Sequence, residues 1–154
     1  MCEYSDRDFT CVEPWRMERG PTPRGSRRLV RAVLAGQPPD LVDQVVLGVT
    51  ELVTNAYRHG LRLPDDAIPN ADASRGSVVL RVARIRRGPA HHLRIEVYDP
   101  NPVPPDWTRG PDDGWAVHGR GLALMRGQLS RYGAISTRNG KVVVVEYELH
   151  RPLS

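Results

Sequence analysis

Three polar residues recur at intervals of four in the segment VVLGVTELVTNAYRHG, which spans residues 45–60. They are Glu51, Asn55 and His59. Because four residues make about one helical turn, their side chains stack along one face of a helix. Carboxylate and carboxamide oxygens suit Mg²⁺, which takes one or two protein ligands beside water and phosphate oxygens. Taken alone, however, this spacing favours a plain solvated face over the wall of a site.

Two further features point to a ligand. Asp99 closes a strand-like segment, at the kind of strand end where ligands often bind in α/β sheets, although by itself an Asx-turn leading into Pro100 is the favoured explanation. In HGRGLALM, Gly119 and Gly121 stand at a predicted helix entrance, where backbone amides can hold a phosphate. Each signal is weak by itself. Their order along the chain, together with the polar helix face, indicates a nucleotide site.

The helix that carries the polar face has a regular apolar stripe on its other side. We predict that Asp40 caps this helix and that Gly48 lies on the polar side, among Glu51, Asn55 and His59. The stripe consists of Val42, Val45, Val46, Val49, Leu52, Val53 and Ala56.

Other segments alternate between helical and strand-like patterns. A helix is predicted from Pro23 to Ala35, and a third helix starts near Gly121, with Leu122, Met125, Leu129 and Tyr132 on one side, and is stopped by Gly133. The runs VVLRVARI and HHLRIEVYD are predicted strands, and an Asn139-Gly140 turn should form the last hairpin. In the second run, Leu93, Ile95 and Val97 should face the core, and Arg94, Glu96 and Tyr98 the solvent.

The predicted fold is an α/β (α+β) two-layer sandwich, with a mixed, largely antiparallel sheet and helices on one face. Residues 1–14 are expected to be an N-terminal arm or edge strand, because Pro14 interrupts the β-forming run FTCVEPWRME. Residues 15–150 form the domain, and 151–154 a short tail. The segments 61–77 and 100–118 are predicted loops, since prolines, glycines and acids break every periodicity there.

Composition excludes several classes of protein. The 154 residues contain no apolar run long enough for a membrane span and no secretory signal, so we expect a cytoplasmic protein without membrane contact. Cys2 and Cys11 are expected to be free thiols, too few for a zinc site. The net charge of +4 is compatible with nucleic-acid binding, but the sparse aromatics favour solvated basic faces and no direct nucleic-acid contact.

The motifs together resemble the Bergerat-fold (GHKL) ATPases, the superfamily of gyrase, sensor histidine kinases and mismatch-repair proteins. Within it, the chain looks like the stand-alone bacterial anti-sigma-factor serine/threonine kinases. ELVTNAYRHG is similar to the family's N box, and GRGLALM and GKVVVVEYEL are similar to its last glycine box and closing hairpin. The resemblance extends from about Trp15 to Leu149. It implies a Bergerat fold that binds ATP with Mg²⁺.

The resemblance also implies roles for individual residues. Asn55 would coordinate the Mg²⁺ that bridges the ATP phosphates, and Glu51 would be the general base. Asp99 would accept a hydrogen bond from the adenine amine. The backbone amides of Gly119, Arg120 and Gly121, followed by Leu122 in the same segment, would bind the phosphates.

Other expected contacts have simpler alternatives. Residues 100–118 would form the ATP lid. Arg109 in this loop would reach a phosphate, unless it is an ordinary exposed arginine. His59 would contact a phosphate, or is only a polar residue near a helix C-terminus.

The sequence departs from the family pattern beside the adenine site. DPNPVPP places Asn101 and Pro102 where the family has glycines, and Val142 stands in place of a threonine usual in the closing strand. These changes leave ATP affinity open, while the positions of Asn55 and Glu51 are intact.

Two functions follow from the resemblance. In one, the protein binds a sigma factor and phosphorylates a serine or threonine of an anti-sigma-factor antagonist, so that partners exchange. In the other, ATP gates protein binding without phosphoryl transfer. Glu51 favours the first, because a pure binding module has no chemical use for a base. Relatives also imply a possible homodimer through the first strand and helix.

Overall fold

The computed structural model describes residues 9–64, 66–68, 78–107 and 120–150. In these ranges one open sheet packs against a layer of helices. The elements in chain order are β1 (Thr10–Cys11), β2 (Arg16–Arg19), α1 (Pro23–Val33), α2 (Pro39–Asn55) with a π-helical turn (Ala56–Gly60), β3 (Val79–Arg87), β4 (Ala90–Asp99), α3 (Arg120–Arg126), β5 (Arg131–Thr137) and β6 (Gly140–Glu148).

The sheet has six strands in the order β1-β3-β4-β6-β5, with β2 also paired to β3. All pairings of the described strands are antiparallel. The predicted α+β architecture is therefore confirmed. The last hairpin also forms, but its two-residue turn is Arg138-Asn139, one residue earlier than the predicted Asn139-Gly140, because Thr137 pairs with Gly140 across it. Of the helices in the described ranges, none is long and apolar enough to cross a membrane.

The helix layer buries the apolar stripe of α2 against β4 and β6, which makes α2 the central helix of the core. Two details of this helix differ from the prediction. Pro38 occupies the N-cap without a side-chain hydrogen bond, and Asp40 lies in the first turn, where its charge favours the helix dipole. Gly48 is buried and faces the sheet, since a Cβ there would lie 3.1 Å from Met125 Cε and 3.2 Å from Tyr147 Cζ.

The third helix is shorter than the sequence predicted. It ends at Arg126, and the Gln128 amide donates to the carbonyl oxygen of Met125 in the turn that follows. Tyr132 and Gly133 therefore belong to β5 rather than to the helix. The apolar spacing was misleading because Leu129 and Tyr132 do pack against the core, but from a turn and a strand.

The prediction that one face of β4 is solvated is wrong, because Arg94 and Glu96 are both buried. Arg94 pairs with Glu96 at 2.8 Å and with Glu146 of β6 at 2.9 Å, and the Phe9 ring covers its guanidinium at 4.7 Å. Burial raises the pKa of Glu146, but hydrogen bonds from Arg87 and Arg94 outweigh it and hold that pKa below its usual value. The outer face of the sheet is thus closed by ion pairs and by the N-terminal segment.

Candidate functional site

A cavity of about 280 Å³ opens where the end of α2 meets the end of β4 and the start of β6. This volume is near the lower end of ligand pockets, roughly 300–1,000 Å³, and suits a nucleobase with part of its sugar. Its lining combines apolar and polar side chains from four parts of the chain: Leu52, Asn55, Ala56, His59, Val97, Asp99, Asn101, Val103, Pro104, Pro105, Asp106, Leu122, Lys141 and Val143.

Asp99 ends β4 at the wall of this cavity and is 2% exposed. Its Oδ1 accepts hydrogen bonds from the Asn101 amide at 2.9 Å and from Lys141 Nζ at 3.0 Å. The Asx-turn that the sequence left as an alternative therefore forms, and Asp99 lines the cavity as well. No hydrogen bond within the described ranges occupies Oδ2, so this oxygen remains as an acceptor for a ligand.

Lys141 is the site residue that the sequence analysis missed. It is the direct cross-strand partner of Asp99, and its Nζ also donates to the Asn101 carbonyl oxygen at 2.9 Å. Val142, which we expected near the base, pairs with Tyr98 and is absent from the cavity lining. A shift of one residue along a strand reverses the face of the side chain, so the residue beside Asp99 is Lys141 and not Val142.

Asn55 and His59 reach the same cavity from the end of α2. Asn55 is the last α-helical residue, and the chain continues as a π-helical turn, a distortion frequent at functional sites. The carbonyl oxygen of His59 accepts a hydrogen bond from Asn101 Nδ2 at 3.0 Å, which ties this turn to the segment after β4. At Gly60 a Cβ would lie 2.6 Å from Asp99 Cβ, so only glycine allows this approach.

Glu51 lies one turn before Asn55 and does not line the cavity. It packs instead against the first turn of α3, where a Cβ on Gly121 would lie 2.5 Å from Glu51 Cδ and 2.6 Å from its Cγ. The next residue, Leu122, is buried and lines the cavity. Glu51 and the start of α3 are therefore neighbours at the rim of the site.

Some expected site residues cannot be placed. Gly119 and Arg109 lie outside the described residues, and of Arg120 only the backbone is described, as the first residue of α3. The expected lid is described only up to Trp107, whose ring lies 4.7 Å from that of Tyr132. Its carbonyl oxygen accepts from Arg126 Nη1 at 3.4 Å, so the first part of this loop contacts α3 and β5.

The side chains present suit a magnesium ion that is held mainly by a ligand. Within the described ranges, no cluster of three or more His, Cys, Asp or Glu residues could hold a metal by itself. Asn55, which lines the cavity, carries an amide oxygen, Oδ1, that would serve as such a ligand; it accepts a hydrogen bond from Arg58 Nη1 at 3.5 Å, and Glu51 stands one turn away. Mg²⁺ commonly binds through one or two protein oxygens together with phosphates and water.

Residues 22–147 match the family described as the histidine kinase-like ATPase domain. The match covers most of the chain, and the protein therefore belongs to this family. A solved structure, described as the crystal structure of the RsbU and RsbW domains of Rv1364c from Mycobacterium tuberculosis, is similar in fold, with a TM-score of 0.56 at 20% sequence identity. The similarity covers 91% of this chain and 34% of that chain. No curated protein sequence matches the chain significantly.

Proposed function

We propose that the protein binds ATP with Mg²⁺ and transfers the γ-phosphoryl group to a serine or threonine of an anti-sigma-factor antagonist. In this proposal it also binds a sigma factor, and phosphorylation exchanges the two partners. The observation that carries the proposal is a cavity in a histidine kinase-like ATPase domain, with Asn55 and Asp99 in its wall and Glu51 at its rim.

Each part of the nucleotide has a matching part of the site. The base would lie over the paired ends of β4 and β6, beneath the end of α2, where Asp99 Oδ2 would accept a hydrogen bond from the adenine amine. The phosphates would extend past Asn55 towards the start of α3, where the backbone amides of Arg120 and Gly121 lie; Gly119, outside the described residues, would add a third amide. Asn55 would hold the magnesium ion, which would neutralise charge on the phosphates. His59 and Arg109 are further candidates for phosphate contacts.

Glu51 would act on the protein substrate rather than on the nucleotide. The hydroxyl oxygen of the substrate forms a bond to the γ-phosphorus, and the bond from that phosphorus to the β–γ bridging oxygen breaks, releasing ADP. The Glu51 carboxylate takes the hydroxyl proton. Its place at the rim, outside the cavity lining, suits this role, because the substrate hydroxyl must arrive from a second protein.

A second candidate is a nucleotide-gated binding module without phosphoryl transfer. The Asp99–Lys141 pair favours it, because the lysine already occupies one oxygen of the carboxylate that would read the base. Asn101 in the turn after β4, together with Pro104 and Pro105 in the cavity wall, also distinguishes this pocket from a glycine-rich one. In this case ATP binding alone would change partner affinity.

Two substitutions on α2 separate the candidates. Asn55→Ala should abolish Mg²⁺-dependent stabilisation by ATP in thermal melts, because a ligand stabilises only the protein that binds it. Glu51→Gln should keep that stabilisation but lower transfer from [γ-³²P]ATP to an antagonist-domain protein by about 10²-fold or more.

Asp43→Asn is the matched control, since it makes a similar change at an exposed position of the same helix and should alter neither result. Equal transfer by the parent and Glu51→Gln would refute the proposed base. No transfer by the parent, combined with ATP-dependent partner binding, would establish the gated module.

A further inference from the structure

The base pocket contains a buried cation that the proposed function has not yet used. Lys141 is the only lysine among the 22 lysine and arginine residues of the chain. Its side chain is 6% exposed, and that of its partner Asp99 is 4% exposed. Burying such a pair is costly unless the remaining hydrogen-bonding groups are also satisfied.

Bonds to the described residues leave Lys141 with one unused donor. An ammonium group carries three N–H donors, and Lys141 Nζ uses two of them, on Asp99 Oδ1 and on the Asn101 carbonyl oxygen. Lys141 is also part of the cavity lining. The site thus presents a donor, the third N–H of Lys141, close to an acceptor, Asp99 Oδ2.

We propose that Lys141 determines base selection in this pocket and that it admits guanine as well as adenine nucleotides. The proposal rests on the proposed nucleotide binding and deepens it. Adenine offers a donor, its amine, beside an acceptor, a ring nitrogen; guanine offers a donor, N1–H, beside an acceptor, O6. The two edges carry donor and acceptor in opposite order, so each base matches one carboxylate oxygen and one ammonium hydrogen in its own orientation.

A carboxylate without a neighbouring cation selects against guanine. The O6 oxygen of guanine would face the carboxylate as a second acceptor, and sites with unpaired polar groups reject a ligand strongly. Nζ of Lys141 lies 3.0 Å from Asp99 Oδ1, so an O6 oxygen placed beside this carboxylate finds a charged donor instead. Because O6 is a stronger acceptor than a ring nitrogen, guanine depends on the ammonium more than adenine does.

The test is the affinity of the full chain for ATP and for GTP, both with Mg²⁺, measured by calorimetry. We expect the parent to bind GTP within about tenfold of ATP. Lys141→Thr should weaken GTP more than ATP, by roughly ten- to hundredfold, the usual effect of one hydrogen bond with a charged partner. Arg138→Thr, which removes an exposed cation in the neighbouring β5–β6 turn, should leave the ratio unchanged.

A second measurement needs no substitution, so it stands even if Lys141→Thr fails to fold. Protein labelled with ¹³C-lysine has a single lysine side chain to report. Its Cε signal should shift with ATP and with GTP, because both bases contact Nζ.

The outcomes separate this inference from the proposed function. If neither nucleotide binds, nucleotide binding itself is wrong. If ATP binds, three results would refute the inference about Lys141 without affecting ATP binding. The parent could bind GTP more than about a hundredfold more weakly than it binds ATP. Lys141→Thr could leave the ratio of the two affinities unchanged, or neither nucleotide could shift the lysine signal.

Discussion

Gly121→Ala should disturb the site through Glu51. The sequence suggested that this glycine exposes its backbone amide to a phosphate, and the structure adds a second reason for glycine. A methyl group at this position would lie 2.5 Å from Glu51 Cδ and 2.6 Å from Glu51 Cγ. Because Cγ is near the base of the side chain, Glu51 cannot escape by rotating its carboxylate alone. Either its χ1 changes or α3 moves away from α2.

The size of the effect follows from this overlap. Forcing an extra methyl into packed side chains costs roughly 1–3 kcal/mol. The same change gains up to about 1 kcal/mol, because alanine is a better helix former than glycine. The change in the free energy of unfolding caused by Gly121→Ala alone is thus a small difference between two opposing effects. The interaction between positions 121 and 51 is the informative quantity.

A double-mutant cycle in urea isolates that interaction. In a Glu51→Ala background the clash disappears but the gain in helix propensity remains. Gly121→Ala should therefore be about 1–3 kcal/mol more favourable there than in the parent. Gly127→Ala is the matched control, because nothing lies within 4 Å of a Cβ at that position. A coupling below about 0.5 kcal/mol would refute the close contact.

Kinetics separate the two reasons for glycine. Gly121→Ala keeps its backbone N–H, so ATP binding should persist while phosphoryl transfer falls with the displaced Glu51. If ATP binding and phosphoryl transfer fall by the same factor, the methyl group acts on the phosphate site instead. That result would not support Glu51 as the general base.

Three further predictions concern the core and the outer face of the sheet. Tyr147→Phe should raise the urea midpoint of unfolding, because it removes a buried hydroxyl that has no hydrogen-bond partner among the described residues. The same change should reduce the destabilisation caused by Gly48→Ala, because the Tyr147 hydroxyl lies against that glycine. Glu146→Gln should cost about 1.5–3 kcal/mol, because Arg87 and Arg94 lose an ionised acceptor while Arg94 keeps Glu96. It should also flatten the loss of stability below pH 4.5, since the folded-state pKa of this carboxyl is lowered. Burial lowers the pKa of His92 from 6.5, so the free energy of unfolding should fall as the pH drops below that value. His92→Gln should remove this dependence of stability on pH between pH 7.5 and 5.5.

Local patterns predicted most of the fold because the elements concerned are strongly periodic. The stripe of α2 and the last hairpin depend on neighbours within a few residues, and both form, although the turn lies at Arg138-Asn139 rather than at Asn139-Gly140. The end of α3 was wrong because apolar residues at helical spacing, including Leu129 and Tyr132, continue beyond it into a turn and β5. Such spacing reports burial, and burial does not require one continuous helix.

Long-range pairing explains what the sequence could not predict on the outer face of the sheet. Arg94 was expected in solvent because arginine is rarely buried without a partner. Its partner Glu146 lies 52 residues further along the chain, and only the pairing of β4 with β6 brings them together. The alternation along β4 was correct, but the conclusion that its polar side faces water was not.

The same register decides which residue lies beside Asp99 in the proposed base site. Asp99 was found from the sequence because it ends an alternating strand, but its neighbour on β6 depends on which residue of that strand stands opposite. One choice of register would place Val142 opposite Asp99, although its apolar side chain lies on the other face of the sheet. The observed register places Lys141 there. The first choice leaves a bare carboxylate that favours adenine, whereas the second adds a cation and makes the pocket a donor–acceptor pair. In the proposed site, base selection would therefore depend on a single step in strand register, which the family motif alone does not specify.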